Sequence, residues 1–267
     1  MRMLRRISGG IFILLLFAVS TQAQNIYTDR PTQTTASAIV PAGAFQIETG
    51  FYLSEFEANI PGNFISGLKF QNISLNNTLL RYGLSEKVEL RFYQEMVKGR
   101  FVSDGVVTQD NPVSFAPTFF GLKYNILKGH PNWPDVGVLA NIGGGVFDNT
   151  GNGLQSEIRL LIDGNLPGEV SFSSNIGLAF SNGFDDNSSL YTIVVSKALN
   201  SKLAAFVEAY GFFYSVGPTD HSMDAGLTYL LSSSAQIDFY GGTGFTSGSA
   251  NVLVGFGFSK RFLKSDE

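Results

Sequence analysis

The chain has 267 residues, a formal net charge of −4 and no cysteine. It is rich in Phe (24), Tyr (10) and Gly (30), while only 15% of its residues are charged. An acidic chain without a basic block is a poor nucleic-acid binder. The lack of cysteine excludes a disulfide framework and a lipoprotein acylation site.

The first residues have the layout of a secretory signal peptide. Residues 1–6 are basic, residues 11–19 form an unbroken apolar run, and residues 20–23 end in the small side chain of Ala23. This layout predicts export with cleavage after Ala23, because the apolar run is short for a membrane span. An uncleaved anchor helix is the alternative. Without residues 1–23 the chain has 15 basic and 22 acidic residues, a formal charge of −7.

Residues 24–42 are polar and show no period, with Pro31 and Pro41 as interruptions. We expect an extended N-terminal arm here, ahead of the first strand. The segment 68–83 is predicted to be a strand, but several asparagines prevent an assignment of its faces. Residues 102–114 are predicted to form a longer polar loop. Clear strand patterns with a period of two occur at 43–55, 88–101, 115–127 and 135–147.

The clearest alternation lies in the neighbouring segments 154–163 and 170–180. Apolar side chains such as Ile158 alternate there with polar ones such as Glu157 and Arg159. This is the side-chain repeat of a strand with one apolar face. Further strands are predicted at 189–199, where the faces are ambiguous, and at 202–215, 221–231, 235–245 and 250–262.

These strands run to about ten residues or more, which is the length that a tilted strand needs to cross a bilayer. Short turns alternate with longer loops, as in outer-membrane barrels. Only a closed barrel satisfies the backbone of membrane-spanning strands. The sequence therefore predicts an all-β fold, an antiparallel transmembrane β-barrel of about 12 strands over residues 43–262, with a short tail at 263–267. Counts of about 10 to 14 strands stay open, because two strands are weak.

Three short motifs near the start of the predicted barrel resemble a known family. They are Asp29-Arg30-Pro31-Thr32, Val-Pro-Ala-Gly at 40–43 and Phe-Gln-Ile-Glu-Thr-Gly-Phe at 45–51. They resemble the opening of a bacterial outer-membrane β-barrel family labelled as transporters or as meta-pathway of phenol degradation proteins. The resemblance implies a barrel concerned with the uptake of small solutes, aromatic ones among them. It assigns no role to the matching residues Asp29, Arg30, Pro31, Gly43 and Glu48.

Charged side chains on the predicted inner face are candidates for a pore lining. A basic side chain facing hydrocarbon at mid-membrane costs roughly 2–4 kcal/mol, so such residues should point to the lumen. They form either a salt-bridged network that maintains the shape of the barrel or a lining that selects solutes. Simple antiparallel pairing places Lys123 near Tyr93, and Arg159 near Asn141. The ten candidates are Glu48, Glu89, Arg91, Glu95, Lys123, Glu157, Arg159, Asp163, Glu208 and Asp238.

The sequence contains little that indicates catalysis or metal binding. His221 lies between Asp220 and Ser222, but adjacent residues of a strand point to opposite faces and do not form a triad. The pair Asp185-Asp186 lacks the spacing of a calcium loop. We therefore predict no catalytic residue, no metal and no cofactor.

The favoured function is a monomeric outer-membrane channel or transporter. Small solutes, aromatic or hydrophobic ones included, would pass passively through a polar lumen that the loops and the arm narrow. The expected partners are outer-membrane lipid, the solute and the barrel assembly machinery, which recognises aromatic-rich last strands such as 252–262. The alternatives are a sealed structural or adhesive barrel, a lipid-acting barrel enzyme and a soluble periplasmic β-sandwich.

Overall fold

The structure, a computed structural model, describes residues 26–58, 67–145 and 153–263. The predicted signal peptide and residues 264–267 of the predicted tail lie outside these ranges. Among the described residues, no helix is long and apolar enough to span a membrane. The described ranges contain a 3₁₀ turn at Asn182–Phe184 and the strands β1 (Phe45–Glu57), β2 (Leu68–Gly83), β3 (Val88–Ser103), β4 (Val106–Asp110), β5 (Ser114–Phe115), β6 (Thr118–Leu127), β7 (Asp135–Gly144), β8 (Gln155–Leu166), β9 (Val170–Ser181), β10 (Asp186–Ala198), β11 (Leu203–Tyr214), β12 (Asp220–Ser232), β13 (Ala235–Gly244) and β14 (Val252–Phe262).

Twelve of the described strands pair side by side into a closed antiparallel ring, and only the short β4 and β5 lie outside it. The ring closes where β1 pairs with β14, from Phe45 opposite Phe262 to Glu55 opposite Val252. Closure leaves the ring without a free edge, so its strands satisfy their backbone polar groups within the sheet. The prediction of a twelve-stranded antiparallel barrel is confirmed.

The barrel is apolar outside and polar inside. On β8 and β9, Ile158 and Ile176 are exposed on the outer surface (48% and 61%), whereas Asn175 is fully buried inside (0%). This division follows from the period of two, because successive side chains of a strand point to opposite faces. An apolar outer band on long strands is the surface that a transmembrane barrel presents to lipid.

A bulge in β2 explains why the sequence left the faces of this strand unassigned. The register of β2 against β3 shifts between Ser74 and Asn76. Ser74 and Asn77 are both buried inside the barrel, although they are three positions apart and would lie on opposite faces of a regular strand. Arg81, four positions after Asn77, is buried on the same face as Asn77. One extra residue moves every later side chain to the opposite phase. The bulge thus places Arg81 on the inner face.

The predicted polar loop at 102–114 is wrong. β3 continues to Ser103, and the chain turns at Asp104 and Gly105, which have positive φ angles of 51° and 79°. β4 then folds back antiparallel on β3, and β5 pairs with β3 over two further residues. Asp-Gly is a strong hairpin signal because both residues tolerate positive φ. The segment is therefore an extension of the sheet.

The hairpin also corrects the predicted neighbours of the lumen charges. β6 pairs with only the first half of β3, which places Lys123 opposite Glu89, four positions from its predicted neighbour Tyr93. Arg159 lies opposite Leu139, two positions from its predicted neighbour Asn141. Both predicted neighbours are wrong because the registers of these strand pairs are offset from the assumed ones, and an offset changes every cross-strand neighbour.

Candidate functional site in the barrel lumen

The described part of the predicted arm, together with Gly43 and Ala44, lies inside the barrel; these residues, 26–44, are called the arm from here on. Its apolar residues Ile26, Ile39 and Val40 are almost fully buried, and so are the polar Thr34 and Ser37. An extended polar segment remains buried only if the surrounding wall satisfies its backbone and side chains. The inner face of the barrel supplies these partners.

The arm meets the end of β2 just before it joins β1. The backbone N–H of Gly43 donates to the carbonyl of Gly83 (2.8 Å), and the N–H of Gly83 donates to the carbonyl of Ala44 (3.1 Å). A side chain at Gly83 would overlap the carbonyl oxygen of Pro41, so this approach requires glycine. The short turn after β2 is at the same rim as the turns after β8, β10 and β12, which we call the short-turn rim. The arm therefore fills the half of the lumen next to the short-turn rim, and we call the opposite rim the long-loop rim.

A buried ion cluster fixes the arm at Asp29. The carboxylate of Asp29 pairs with Arg91 and lies 3.1 Å from Lys123 Nζ. Arg81 lies 2.7 Å from Glu48 and 2.8 Å from Glu89. No side chain of the cluster is more than 8% exposed. Three acids balance three cations, so the cluster has no formal net charge; its members are Asp29, Glu48, Arg81, Glu89, Arg91 and Lys123.

The cluster keeps Asp29 ionised. Burial raises the pKa of Asp29, but Arg81, Lys123 and Arg91 lower it by more, so its pKa lies well below the usual range. A carboxylate with a depressed folded pKa contributes stability above its unfolded pKa of about 3.9 and loses it as the pH falls below that value. We therefore expect the arm to stay docked at Asp29 from about pH 7 down to about pH 5. Limited proteolysis in detergent should cleave the arm at one unchanged slow rate over this range, and faster cleavage at the acid end would contradict the prediction.

Buried carboxylates of the wall also satisfy the backbone of the arm. Glu48 accepts hydrogen bonds from the N–H groups of Asp29 and Arg30 (2.9 and 3.0 Å). Glu89 accepts one from the N–H of Val40 (2.8 Å). Burying these N–H groups without acceptors would cost about 1–3 kcal/mol each. The acids of the wall therefore stabilise both the cations of the cluster and the arm itself.

Arg30 fills a slot between two glycines of the wall. Gly50 on β1 and Gly257 on β14 lie opposite each other, and a Cβ on either would overlap the guanidinium of Arg30. In this slot the guanidinium donates to Asn77 Oδ1 (2.6 Å) and to Asp238 Oδ1 (3.2 Å). The motif residue Arg30 is thus a second anchor, on the side of the lumen formed by β1, β13 and β14.

Beyond Arg30 the arm crosses the lumen to β9, β10 and β11. Glu208 accepts hydrogen bonds from the N–H of Gln33 (2.8 Å), from the N–H of Thr34 (2.7 Å) and from the hydroxyl of Thr34. The side chain of Asn175 accepts from the N–H of Thr35 and donates to its carbonyl, both at 2.8 Å. The arm is therefore bound to opposite sides of the wall.

A cavity of about 880 Å³ lies between the arm and the long-loop rim. Pro31, Thr32 and Gln33 of the arm line its base. Val216, which is 76% exposed, lines its other end, so the cavity reaches the surface there. Its walls present aromatic rings and phenolic hydroxyl groups, contributed by Tyr52, Tyr93, Phe119, Tyr210, Phe212 and Tyr240.

All ten charged residues that were predicted to point inward lie on the lumen side of the wall. Two have partners in the wall: Glu157 lies 2.7 Å from Arg159, and Glu95 accepts from the hydroxyl of Tyr93 (3.0 Å). Their role in solute selection stays a prediction. The other eight contact the arm by a hydrogen bond or ion pair: Glu48, Glu89, Arg91, Lys123, Arg159, Asp163, Glu208 and Asp238.

Neither the inward position of Arg81 nor the anchoring roles of Asp29 and Arg30 could be predicted from the sequence. Because of the bulge in β2, the alternation in the sequence does not show that Arg81 lies on the inner face. Asp29 and Arg30 lie in the family motif, but a segment without a period has no predictable inner face. A lone buried partner such as Asn175 carries no sequence signal beyond its position on the polar face of β9.

His221 does not assemble a triad with its neighbours. Its ring lies beside Tyr191 on the outer face, with Nδ1 3.2 Å from the phenolic oxygen. Asp220 and Ser222 line the cavity on the inner face, where the Ser222 hydroxyl donates to Asp220 (2.7 Å). The wall of the barrel therefore separates the imidazole from both.

The fold and the lumen define a class: a transmembrane β-barrel whose lumen contains its own N-terminal segment. The chain belongs to the family described as Putative MetA-pathway of phenol degradation, whose sequence model matches residues 28–262. No curated protein matches the chain.

Several solved outer-membrane barrels share the fold. The COG4313 outer membrane channel from Pseudomonas putida F1 is 12% identical, with a TM-score of 0.62 over 87% of this chain and 100% of that chain. The CymD monoaromatic hydrocarbon channel is 9% identical, with a TM-score of 0.50 over 85% of this chain and 90% of that chain. The KdgM porin is 10% identical, with a TM-score of 0.51 over 80% of this chain and 99% of that chain.

Proposed function

We propose that this protein is an outer-membrane channel for the passive passage of small aromatic or hydrophobic solutes, and that its N-terminal arm is the gate. The aromatic cavity of about 880 Å³, which reaches the surface at one end and meets the arm at the other, carries the proposal. The family and the channel fold support the same class of function. The description of CymD as a monoaromatic hydrocarbon channel supports the class of solute.

The cavity lining favours neutral aromatic solutes over ions. Its volume lies in the range of about 300–1,000 Å³ that is usual for small-molecule sites. Ring faces such as those of Tyr52 and Tyr210 attract aromatic rings, and their hydroxyls add a few directed hydrogen bonds. The three cations of the described lining are each paired with an acid, as Arg159 is with Glu157, so the lining offers an anion no free positive charge.

Passage beyond the cavity requires the arm to move. Residues 31–33 line the base of the cavity, and they are bound to the wall mainly through Glu208 and Asn175 on either side of Thr34. A local release of residues 31–35 would connect the cavity with the short-turn rim. The ion cluster at Asp29 would keep the arm anchored during that release, because separating a buried network of three acids and three cations costs more than breaking the few hydrogen bonds that Glu208 and Asn175 accept.

The pore-lining residues fit this mechanism in two groups. Glu95 and Glu157, near the cavity, contribute to its polar lining. The eight residues that contact the arm hold the gate and affect passage through its position. We also propose export with cleavage near Ala23, insertion by the barrel assembly machinery, function as a monomer and no catalytic activity.

Cross-linking the arm to the wall should stop uptake. The chain has no cysteine, so Thr35→Cys with Asn175→Cys introduces a single thiol pair where the two residues are joined by hydrogen bonds of 2.8 Å. In vesicles with an outer leaflet of lipopolysaccharide, the double variant treated with an oxidant or a short bismaleimide should lose most of its uptake of radiolabelled toluene. Reduction of the oxidised form should restore uptake, because residues 31–35 can move again.

The two single-cysteine variants are the matched controls: neither has a second thiol for a cross-link, so neither should lose uptake after the same treatment. Full uptake by a variant with a verified cross-link would contradict the gating role of the arm. Failure of even the unmodified protein to transport toluene or any other small solute would contradict the channel, and it would favour the sealed structural or adhesive barrel.

A further inference from the structure

Two buried carboxylates face each other in the wall beside the arm. Glu208 on β11 and Asp224 on β12 are directly opposite partners of adjacent strands. Their side chains point into the lumen, and the residues are 1% and 2% exposed. From the sequence, Glu208 is a predicted lumen charge, whereas Asp224 is not among the predicted lumen residues.

The pair lacks a compensating cation. Among the described residues, neither Glu208 nor Asp224 takes part in an ion pair. Arg30, the one basic residue of residues 26–44, donates hydrogen bonds to Asp238 and Asn77 instead. This contrasts with the ion cluster, where three cations neutralise three acids. The Glu208–Asp224 pair would carry two negative charges in a buried site if both groups were ionised.

The hydrogen bonds are distributed unequally within the pair. Glu208 accepts from the N–H of Gln33, the N–H of Thr34 and the Thr34 hydroxyl. No donor group of the described residues reaches either oxygen of Asp224. Donors stabilise the ionised form of a carboxyl group, so Glu208 is the member of the pair that is suited to be charged. Asp224 is left as the member that needs a proton.

The surroundings do not offer a metal site. Calcium takes about six to eight oxygen ligands, whereas only the two oxygens of Asp224 are free here. Within the described part of the chain, no group of three or more acidic, His or Cys side chains could coordinate a metal ion. Apolar packing completes the site, since Val194, Phe206 and Tyr240 form a buried cluster next to the pair. Two adjacent carboxylates in such a place share one proton.

We propose that Glu208 and Asp224 form a proton-binding site, in which protonated Asp224 donates a hydrogen bond to the Glu208 carboxylate and so keeps Glu208 in place to bind Gln33 and Thr34 of the arm. Loss of this proton would leave two adjacent charges that need water or a cation. Solvent reaches them only if the arm leaves the wall at Gln33 and Thr34. Alkaline conditions should therefore release the base of the cavity, a consequence that rests on the proposed gating function.

Few other polar groups of the described residues face the pair. They are Tyr210 on β11, Ser222 and Asp220 on β12, Tyr240 on β13, Thr192 on β10 and Thr34 of the arm. Asp220 differs from Asp224 in having donors, because the hydroxyls of Ser222 and Ser249 both reach it at 2.7 Å. Asp220→Asn is therefore a matched control for Asp224→Asn, with the same change of charge on the same face of the same strand.

Infrared spectroscopy of the refolded protein tests the proton directly. We expect the C=O stretching band of a protonated carboxyl group at neutral pH in the unmodified protein and in Asp220→Asn, and its loss in Asp224→Asn. A heat-modifiable gel shift would establish that each variant is folded. A spectrum without this band at neutral pH, a band that persists in Asp224→Asn, or a band that appears only when bound cations are removed would overturn the proposal.

Conductance tests the consequence for the arm. The conductance of the unmodified barrel should rise over the same alkaline pH range in which the infrared band of the protonated carboxyl group disappears. The Asp224→Asn barrel should show no such rise, because the amide still donates to Glu208 and adds no charge. If the band behaves as expected but conductance does not follow it, the proton site stands and its link to the gate is refuted.

Discussion

Deleting residues 26–40 is expected to raise the single-channel conductance of the refolded barrel several-fold. The arm occupies the half of the lumen next to the short-turn rim, where Thr34, Ser37 and Val40 are each at most 2% exposed. Its removal leaves a wall lined by charged and polar groups, among them Glu48 and Glu208. Such a lumen fills with water, and ions then cross it. Planar-bilayer recording of both proteins measures the difference.

A synthetic peptide of residues 26–40 provides the matched control for that deletion. Added to the truncated barrel, it should lower the conductance again, and the same peptide with its Asp29 position changed to Asn should be much less effective. The reason is that Asp29 pairs with Arg91 and Lys123 in the ion cluster. A truncated barrel that shows the gel shift of a folded protein but conducts no better than the full chain would refute the arm as the main barrier.

Replacing Arg81 by Met should lower the free energy of unfolding by about 3–5 kcal/mol, because removing one partner of a buried charge network leaves the others uncompensated. Arg81 is 1% exposed and lies 2.7 Å from Glu48 and 2.8 Å from Glu89. Met retains most of the side-chain volume, so the loss reports on charge and hydrogen bonding more than on packing. Urea unfolding in detergent micelles, followed by the gel shift, measures the change.

Lys98→Met is the matched control for this charge removal. Lys98 pairs with Asp110 at 2.8 Å, but the two side chains are 30% and 51% exposed, so its replacement should change stability little. Adding Glu89→Gln to Arg81→Met should recover part of the loss, because it removes one of the uncompensated charges. A loss for Arg81→Met no greater than that for Lys98→Met would show that the cluster does not stabilise the fold.

The position of the arm changes how charge variants of the lumen are interpreted. From the sequence, Arg91 and Lys123 are candidate pore charges, whose reversal is expected to change the conductance of the barrel. In the structure both contact Asp29, and Lys123 is fully buried. The first effect of reversing either charge is therefore on the docking of the arm, and any effect on the lining of an open pore is secondary.

Much of the barrel could be predicted from the sequence. Strands such as β8, β9 and β14 keep one phase along their whole length, with lipid on one face and the lumen on the other. In such a strand, even-numbered and odd-numbered side chains point to opposite faces, so the residue number alone tells which face a side chain lies on. This local rule was enough for the fold class and for a count of about twelve strands.

The pairing of the lumen charges could not be predicted. The hairpin at Asp104 and Gly105 and the bulge at Ser74 each shift a register, and a shifted register changes every neighbour across a strand pair. Lys123 therefore lies opposite Glu89. Arg81 belongs to the ion cluster, although the sequence pattern of β2 does not show which face of the strand it lies on. These features depend on how connections close in three dimensions.

The sequence by itself determined long strands with one apolar face and one polar or charged face, because the side-chain repeat of a strand is two residues, and their length favoured a closed membrane barrel. Only the tertiary structure decided what the inner charges do. The arm has no period and no sheet of its own, so its place depends on the sum of distant contacts, from Glu48 on β1 to Glu208 on β11. Those contacts exist only after the barrel has closed and brought its inner faces around the arm.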